Sequence, residues 1–262
     1  MAVGNIRKMT TGLEEQVTYF LNLSEDVNMN DLIGQDIHLE WQGVIHCSKC
    51  SKVTKKSFGQ GFCYPCFKTA PESAECIIRP ELCRAHLGEG RDPQWEERHH
   101  DRPHIVYLAA SSAVKVGVTR GDQVPTRWID QGATEAIRLA ETPNRYEAGR
   151  VEVALKAFFT DKTHWQKMLR NEIDESIDLI AEKRALAESL PADILDLFSD
   201  NDEVTRLNYP VLEYPQKVKS LNFDKSPIIH GKLVGIKGQY LLFAGGEVVN
   251  VRRHTGYYVK IT

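Results

Sequence analysis

Long apolar runs are what this chain most plainly lacks. No stretch approaches the roughly 18 consecutive apolar residues a membrane span requires. The N-terminal MAVGNIRKMTTGLEEQ has no apolar h-region of the kind a secretion signal needs. Neither insertion nor export is expected, and a reducing cytoplasm is the expected compartment. An excess of charge is missing too. A net charge of −3 over 262 residues gives no global electrostatic case for nucleic acid, so any such contact must come from a local patch. No internal repeat or low-complexity tract stands out. Cysteine is scarce, at six. Six would suffice for three disulfides, but CxxC pairing in a chain this long, without a leader, favours thiolates on metal. With 42% hydrophobic and 26% charged residues, the chain can bury one large domain or two small ones.

Four of the cysteines, Cys47, Cys50, Cys63 and Cys66, form two CxxC pairs separated by twelve residues. Each pair can fold as a tight knuckle presenting two thiolates, and two knuckles complete a tetrahedral shell around one zinc ion. The competing reading is a redox dithiol or unconnected thiols. A closed all-thiolate shell leaves no open position for a hydrolytic water, so Zn²⁺ here is structural and catalysis must lie elsewhere. Lys49, Lys52, Lys55 and Lys56 decorate the first knuckle and the loop leaving it. They form either a local phosphate-binding patch or a solvated loop. Cys76, Cys83 and His86 follow as C-x6-C-x2-H, a less specific pattern. It reads as a second zinc site, with His46, His99 or His100 as the fourth ligand, or as buried free cysteines beside a surface histidine.

Alternation predicts strands at Gln16 to Leu23 and Asp36 to Ile45, and glycine-punctuated strands from Pro227 to Thr262. A β-rich module built from both chain ends follows. Five segments are expected: N-terminal β-rich 1–46, zinc-binding 47–103, mixed α/β 104–165, helical with a linker 166–226, and C-terminal β-rich 227–262. The helical stretch, Lys162 to Leu197, rests on Ile173, Ile177, Ile180 and Ala181 at three- and four-residue steps. In the middle, Ile105 to Leu108 and Val114 to Thr119 flank Ser111-Ser112 as a hairpin. Pro125 suits a first helical turn, Arg127, Trp128 and Ile129 lie in that helix, and Gly132 suits its left-handed C-cap. Ala133 to Glu141 is ambiguous by periodicity. Tyr146 to Phe159 places Ala148, Val151 and Leu155 on one helical face, with Glu152 beside the stripe.

IVY followed by KVG across a hairpin, then an arginine on the next helix and a glutamate on a later one, resembles the GIY-YIG nuclease superfamily over roughly residues 104–165. The resemblance implies hairpin, helix, third strand and helix, which makes Ala133 to Glu141 a strand. It implies that Tyr107 ends the first motif, Lys115-Val116-Gly117 is the second, Arg127 is the catalytic arginine and Glu152 the metal-binding glutamate. EVALKAFF, from Glu152, fits that superfamily's glutamate with a leucine three and an aromatic seven residues on. Lys115 stands where the second motif has tyrosine and Ile105 where the first has glycine. The asparagine that often completes such a site has its nearest candidates in Thr163 and His164. The whole chain is also similar to an uncharacterised bacterial family of unknown function that joins a zinc segment to RWIDQGA and GIKGQY motifs. The fold class implied is α+β: a zinc-ribbon-like four-cysteine lobe, a GIY-YIG-like mixed α/β domain and the β-rich module.

The chemistry follows. Phosphodiester hydrolysis needs an activated water, a cation at the leaving oxygen and positive charge on the transition state. Glu152 suits one Mg²⁺ or Mn²⁺, Arg127 suits bidentate contact with phosphate oxygens, and Tyr107 or Lys115 suits the attacking water. The plainer readings are a strand tyrosine packing its ring and an interhelical Arg127–Glu152 ion pair. The expected function is a zinc-stabilised, metal-dependent endonuclease on nucleic acid, DNA first. The alternatives are a zinc-dependent nucleic-acid-binding protein with a degenerate nuclease domain, and a protein-interaction module.

Overall fold

The computed structural model describes residues 1–159 and 164–262. Among them the chain is mixed α+β and divides into two compact units. The first comprises Met1–Lys68, Ile129–Gly132 and Leu207–Thr262; the second comprises Thr69–Trp128 and Ala133–Arg206. This differs from the five expected segments. The 47–103 segment is cut between Lys68 and Thr69, so its two groups of cysteines belong to different units. The 166–226 segment is cut after Arg206. The physical reason is local tethering. The knuckle side is held to the first unit's sheet, where the His46 amide donates to the Gly256 carbonyl at 2.8 Å. The 3-10 turns after Pro71 instead pack against the helix Arg145–Leu155 of the second unit. No helix among the described residues is long and apolar enough to cross a membrane.

The first unit joins the two chain ends. Among the described residues its main sheet runs Ala2–Asn5, Tyr257–Ile261, Asp36–Ile45, Ile228–Lys237, Tyr240–Phe243, Glu247–Asn250 and Lys219–Leu221. All neighbours are antiparallel except the last pair. Asp36–Ile45 sits inside it because Ile37 and Leu39 alternate inward; Leu39 lies opposite Ile229 on one side and Ile261 on the other. Gly256 is required where this sheet meets the first knuckle: its φ is +93°, and a Cβ there would fall on the His46 carbonyl oxygen. A smaller sheet pairs Thr10–Leu13, Val17–Asn22 and Asp26–Asn28.

The second unit carries an antiparallel sheet ordered Val114–Arg120, His104–Ala110, Glu135–Thr142 and Val204–Arg206. His104–Ala110 is buried along its whole length. Glu135–Thr142 is a strand with Ala136, Ile137, Leu139 and Ala140 all fully buried, so both of its faces are covered. That is why its periodicity reads as neither helix nor strand. The helix Arg145–Leu155 starts at Asn144, whose side chain accepts from the Glu147 amide at 3.0 Å. It lays Ala148, Val151 and Leu155 against Val106, Leu108, Ile137 and Leu139. The helical stretch expected from Lys162 to Leu197 holds three short helices among the described residues, Trp165–Leu169, Leu179–Ala187 and Ala192–Leu195, while Lys162 itself lies outside the described residues. Asn171 turns the chain left-handed at φ +56° and Asp178 caps Ile180 and Ala181, so Ile173 and Ile177 precede the helix they were expected to join.

His104 gives this unit a pH dependence. It is fully buried at the start of the central strand, with Nδ1 donating to the Arg102 carbonyl at 2.7 Å and Nε2 without a partner. Burial pulls its pKa from 6.5 down to about 4. The folded state therefore holds the neutral ring while the unfolded chain takes up a proton. The stabilisation is complete above the unfolded value and is lost as pH falls from about 6.5 to about 4, an upper bound of about 3 kcal/mol. Denaturant melts across that window should show stability rising with pH, and His104→Gln should flatten the slope.

Candidate functional site

The four knuckle cysteines converge. Their Sγ atoms all lie within 4.8 Å of one another. Cys50 and Cys63 are 3.8 Å apart, close to the edge of a tetrahedron with Zn–S bonds of ~2.3 Å. The geometry is built locally. In the first knuckle the Ser51 amide donates to the Cys47 carbonyl at 2.9 Å, and Ser51 takes a φ of +58°. The second knuckle closes through the Phe58–Phe62 bridge, and the short helix Tyr64–Thr69 carries Cys66. The Ser48 amide donates to the Gly61 carbonyl at 2.7 Å and joins the two. Burial works to raise the Cys47 thiol, but the backbone amides of Cys63, Cys50 and Lys49 bring it down to about 6. The Cys63 side chain, with the neighbouring thiols, pushes Cys66 up to about 12. A dication relieves that mutual repulsion, so the donor set fits zinc. Lys49, Lys52, Lys55 and Lys56 are all exposed around it.

The second unit holds an open groove of about 680 Å³. Its charged lining is Arg79, Lys115, Glu152 and Lys156, with Ile78 and Phe159 among its apolar walls. The hairpin strand Val114–Arg120 supplies Lys115, the helix Arg145–Leu155 supplies Glu152, and the turns before Pro80 supply Arg79. Of the residues expected to act together, Lys115 and Glu152 meet here. Tyr107 does not line the groove. It is fully buried, and its ring packs 6.0 Å from that of Trp128. The Tyr107–Gly117 register explains the glycine of KVG, because a Cβ at Gly117 would fall on the Tyr107 ring and hydroxyl. Arg127 is half-buried on the short helix Thr126–Asp130 and also lies outside the groove lining. Its charge reaches Arg145, as does that of Glu152: burial lowers the Arg145 pKa, Glu152 raises it and Arg127 lowers it further. Thr163 lies outside the described residues, and His164 precedes the helix Trp165–Leu169.

The expected second metal set is rearranged. Cys76 and Cys83 come together with Glu96 and His100, all four buried. His86 instead stacks on Tyr146 at 4.7 Å, His99 stacks on Trp95 at 4.0 Å, and His46 bonds Asn5 in the first unit. Glu96 was missed, as were Arg79, Arg145 and Lys156. The signal for Glu96 was present in the sequence, since Glu96 and His100 stand four apart on one helical face.

Fold and geometry thus define a mixed α+β protein with a four-cysteine centre able to hold zinc. The chain belongs to the DUF2797 family, described as a protein of unknown function, over residues 34–259. No curated protein and no solved structure matches it. Neither the family nor its description assigns an activity.

Proposed function

We propose that this protein is a zinc-stabilised phosphodiesterase of the GIY-YIG kind acting on nucleic acid, DNA first. The observation that carries the reading is the groove, where one carboxylate, Glu152, stands among the cations Arg79, Lys115 and Lys156. A groove of that charge suits a polyanion, and phosphate oxygens complete what a lone carboxylate leaves open around a hard cation. The hairpin, helix, strand and helix order along the chain from His104 to Leu155 supports the same reading. When bound at Glu152, Mg²⁺ or Mn²⁺ supplies charge at the leaving oxygen. Lys115 and Lys156 would hold phosphate oxygens, and Lys115 would serve to position the attacking water. The four-cysteine centre fixes the fold of its own knuckles and takes no part in hydrolysis.

A second reading has its own observation. Tyr107, the resemblance's first tyrosine, is fully buried against Trp128 and Gly117 and is not among the residues that line the groove. On that reading the groove binds nucleic acid without cutting it. Supercoiled plasmid incubated with the full chain and Mg²⁺ or Mn²⁺ separates them. Nicking that stops with chelation of the divalent ion supports the enzyme. Salt-sensitive binding without nicking leaves the binder. Absence of both ends the nucleic-acid reading.

A further inference from the structure

We propose that Cys76, Cys83, Glu96 and His100 form a second structural zinc site, and that this site clamps the helix bearing Glu152. The inference concerns a different site from the groove and stands whether or not the groove cleaves anything. Their ligand atoms lie within 4.8 Å of one another, and Cys76 Sγ is 3.9 Å from His100 Nδ1. Glu96 and His100 hydrogen-bond directly. The four residues are 9%, 2%, 2% and 3% exposed. Two thiols, a carboxylate and an imidazole buried with their ligand atoms this close form a ready donor set, and a cation offsets the charge that the thiolates and the carboxylate would carry together away from water. Two sulfurs, one nitrogen and one oxygen form a donor set zinc accepts, and four protein ligands close the shell.

A second observation comes from the segment that carries the two cysteines. The segment from Pro71 to Leu87 is a chain of 3-10 turns. Its buried apolar cluster is Cys76, Cys83 and Ala85, with Ala74 and Tyr146 packed beside them. Such small side chains bury too little area to hold a loop-rich lobe, and lobes of that kind are stapled by metal or disulfide. Cys76 sits in the turn Glu75–Ile77 and Cys83 directly after Pro80–Leu82. Glu96 and His100 come from one turn of the helix Pro93–His99 and its C-cap, begun by Asp92, which accepts from the Trp95 amide at 3.1 Å. One ion therefore ties two separate turns to a helix.

The clamp runs through Arg145. Its Nε donates to the Cys76 carbonyl and its Nη2 to the Ile77 carbonyl, each at 2.9 Å. Arg145 is the first residue of the helix that carries Glu152. Its cation also offsets the net negative charge of a zinc held by two thiolates and a carboxylate. The metal holds the turn, the turn holds Arg145, and Ile78 and Arg79 on the same turn form one wall of the groove.

The test is metal stoichiometry and shell on the full chain loaded with zinc alone. Elemental analysis should give two zinc ions per chain. X-ray absorption should average three sulfur and one nitrogen or oxygen neighbour per zinc, as one Cys₄ and one Cys₂GluHis shell require. Glu96→Gln should lose one ion and leave an all-sulfur shell, with faster amide exchange confined to the second unit and including Arg145–Leu155. The wild-type shell keeps the proposal testable even where a variant folds poorly. One zinc per chain with an all-sulfur shell overturns the site, as does a Cys76–Cys83 disulfide in the reduced, loaded protein. Exchange in Arg145–Leu155 unchanged on loss of the second ion overturns the clamp.

Discussion

Glu152→Gln should abolish divalent-dependent nicking while DNA binding holds or tightens. The substitution keeps the shape of the side chain and removes the one carboxylate among the groove's charged residues. On the enzyme reading Glu152 holds the divalent ion, and losing the ion removes several kcal/mol of transition-state charge stabilisation. Removing a negative charge beside Arg79, Lys115 and Lys156 makes the groove more positive, so affinity moves the other way. Stability should change little, since exposed and half-exposed positions are usually within about 0.5 kcal/mol. The opposed signs are the useful part, because a misfolded variant loses both signals together. Lys156→Ala should weaken binding across sequences and lower the salt slope by about one charge. Nicking by Glu152→Gln at the wild-type rate sinks the enzyme reading, whatever the binding data show.

How much of this was legible in the sequence depended on whether the signal was local. Asp36–Ile45 is readable to its ends because buried Ile37 and Leu39 alternate with the exposed or half-buried Asp36, His38 and Glu40. Glu135–Thr142 is not, because burial on both faces erases the alternation. Ile173 and Ile177 had helical spacing, but Asn171 and Asp178 set the backbone against it, and a cap or a left-handed turn outweighs a few periodic residues. The paired CxxC knuckles encode their own turn geometry, so their convergence could be read in advance. The second set could not be completed the same way. His86 is near Cys83 in sequence and is drawn to Tyr146, while Glu96 and His100 arrive from a helix thirteen or more residues on. The groove shows the same limit: Arg79 and Lys156 are far apart in sequence, and only the packing of the turn on the helix makes them neighbours.

That packing leaves no room for a side chain at Gly149, and Gly149→Ala should disturb it. Gly149 lies in the middle of the helix Arg145–Leu155, where alanine is normally preferred by about 1 kcal/mol. Here the added Cβ would fall on the Glu81 amide nitrogen and the Pro80 carbonyl carbon, and 2.7 Å from Glu81 Cα. These are backbone atoms, which cannot rotate aside as a flexible side chain would. Overpacking of even a yielding core costs about 1–3 kcal/mol, and this contact does not yield, so the steric cost exceeds the propensity gain. A net loss of about 2 kcal/mol or more is expected, a fall in Tm of several degrees for the second unit. Gly149→Val adds bulk on the same atoms and should cost more. Relief requires the Pro80–Leu82 turn to lift from the helix, and that turn follows Ile78 and Arg79 at the groove wall and precedes Cys83. DNA binding and retention of zinc at Cys76 and Cys83 should therefore fall together in the alanine variant. A melting temperature equal to or above that of the parent would mean that the turn and the helix do not touch at Gly149.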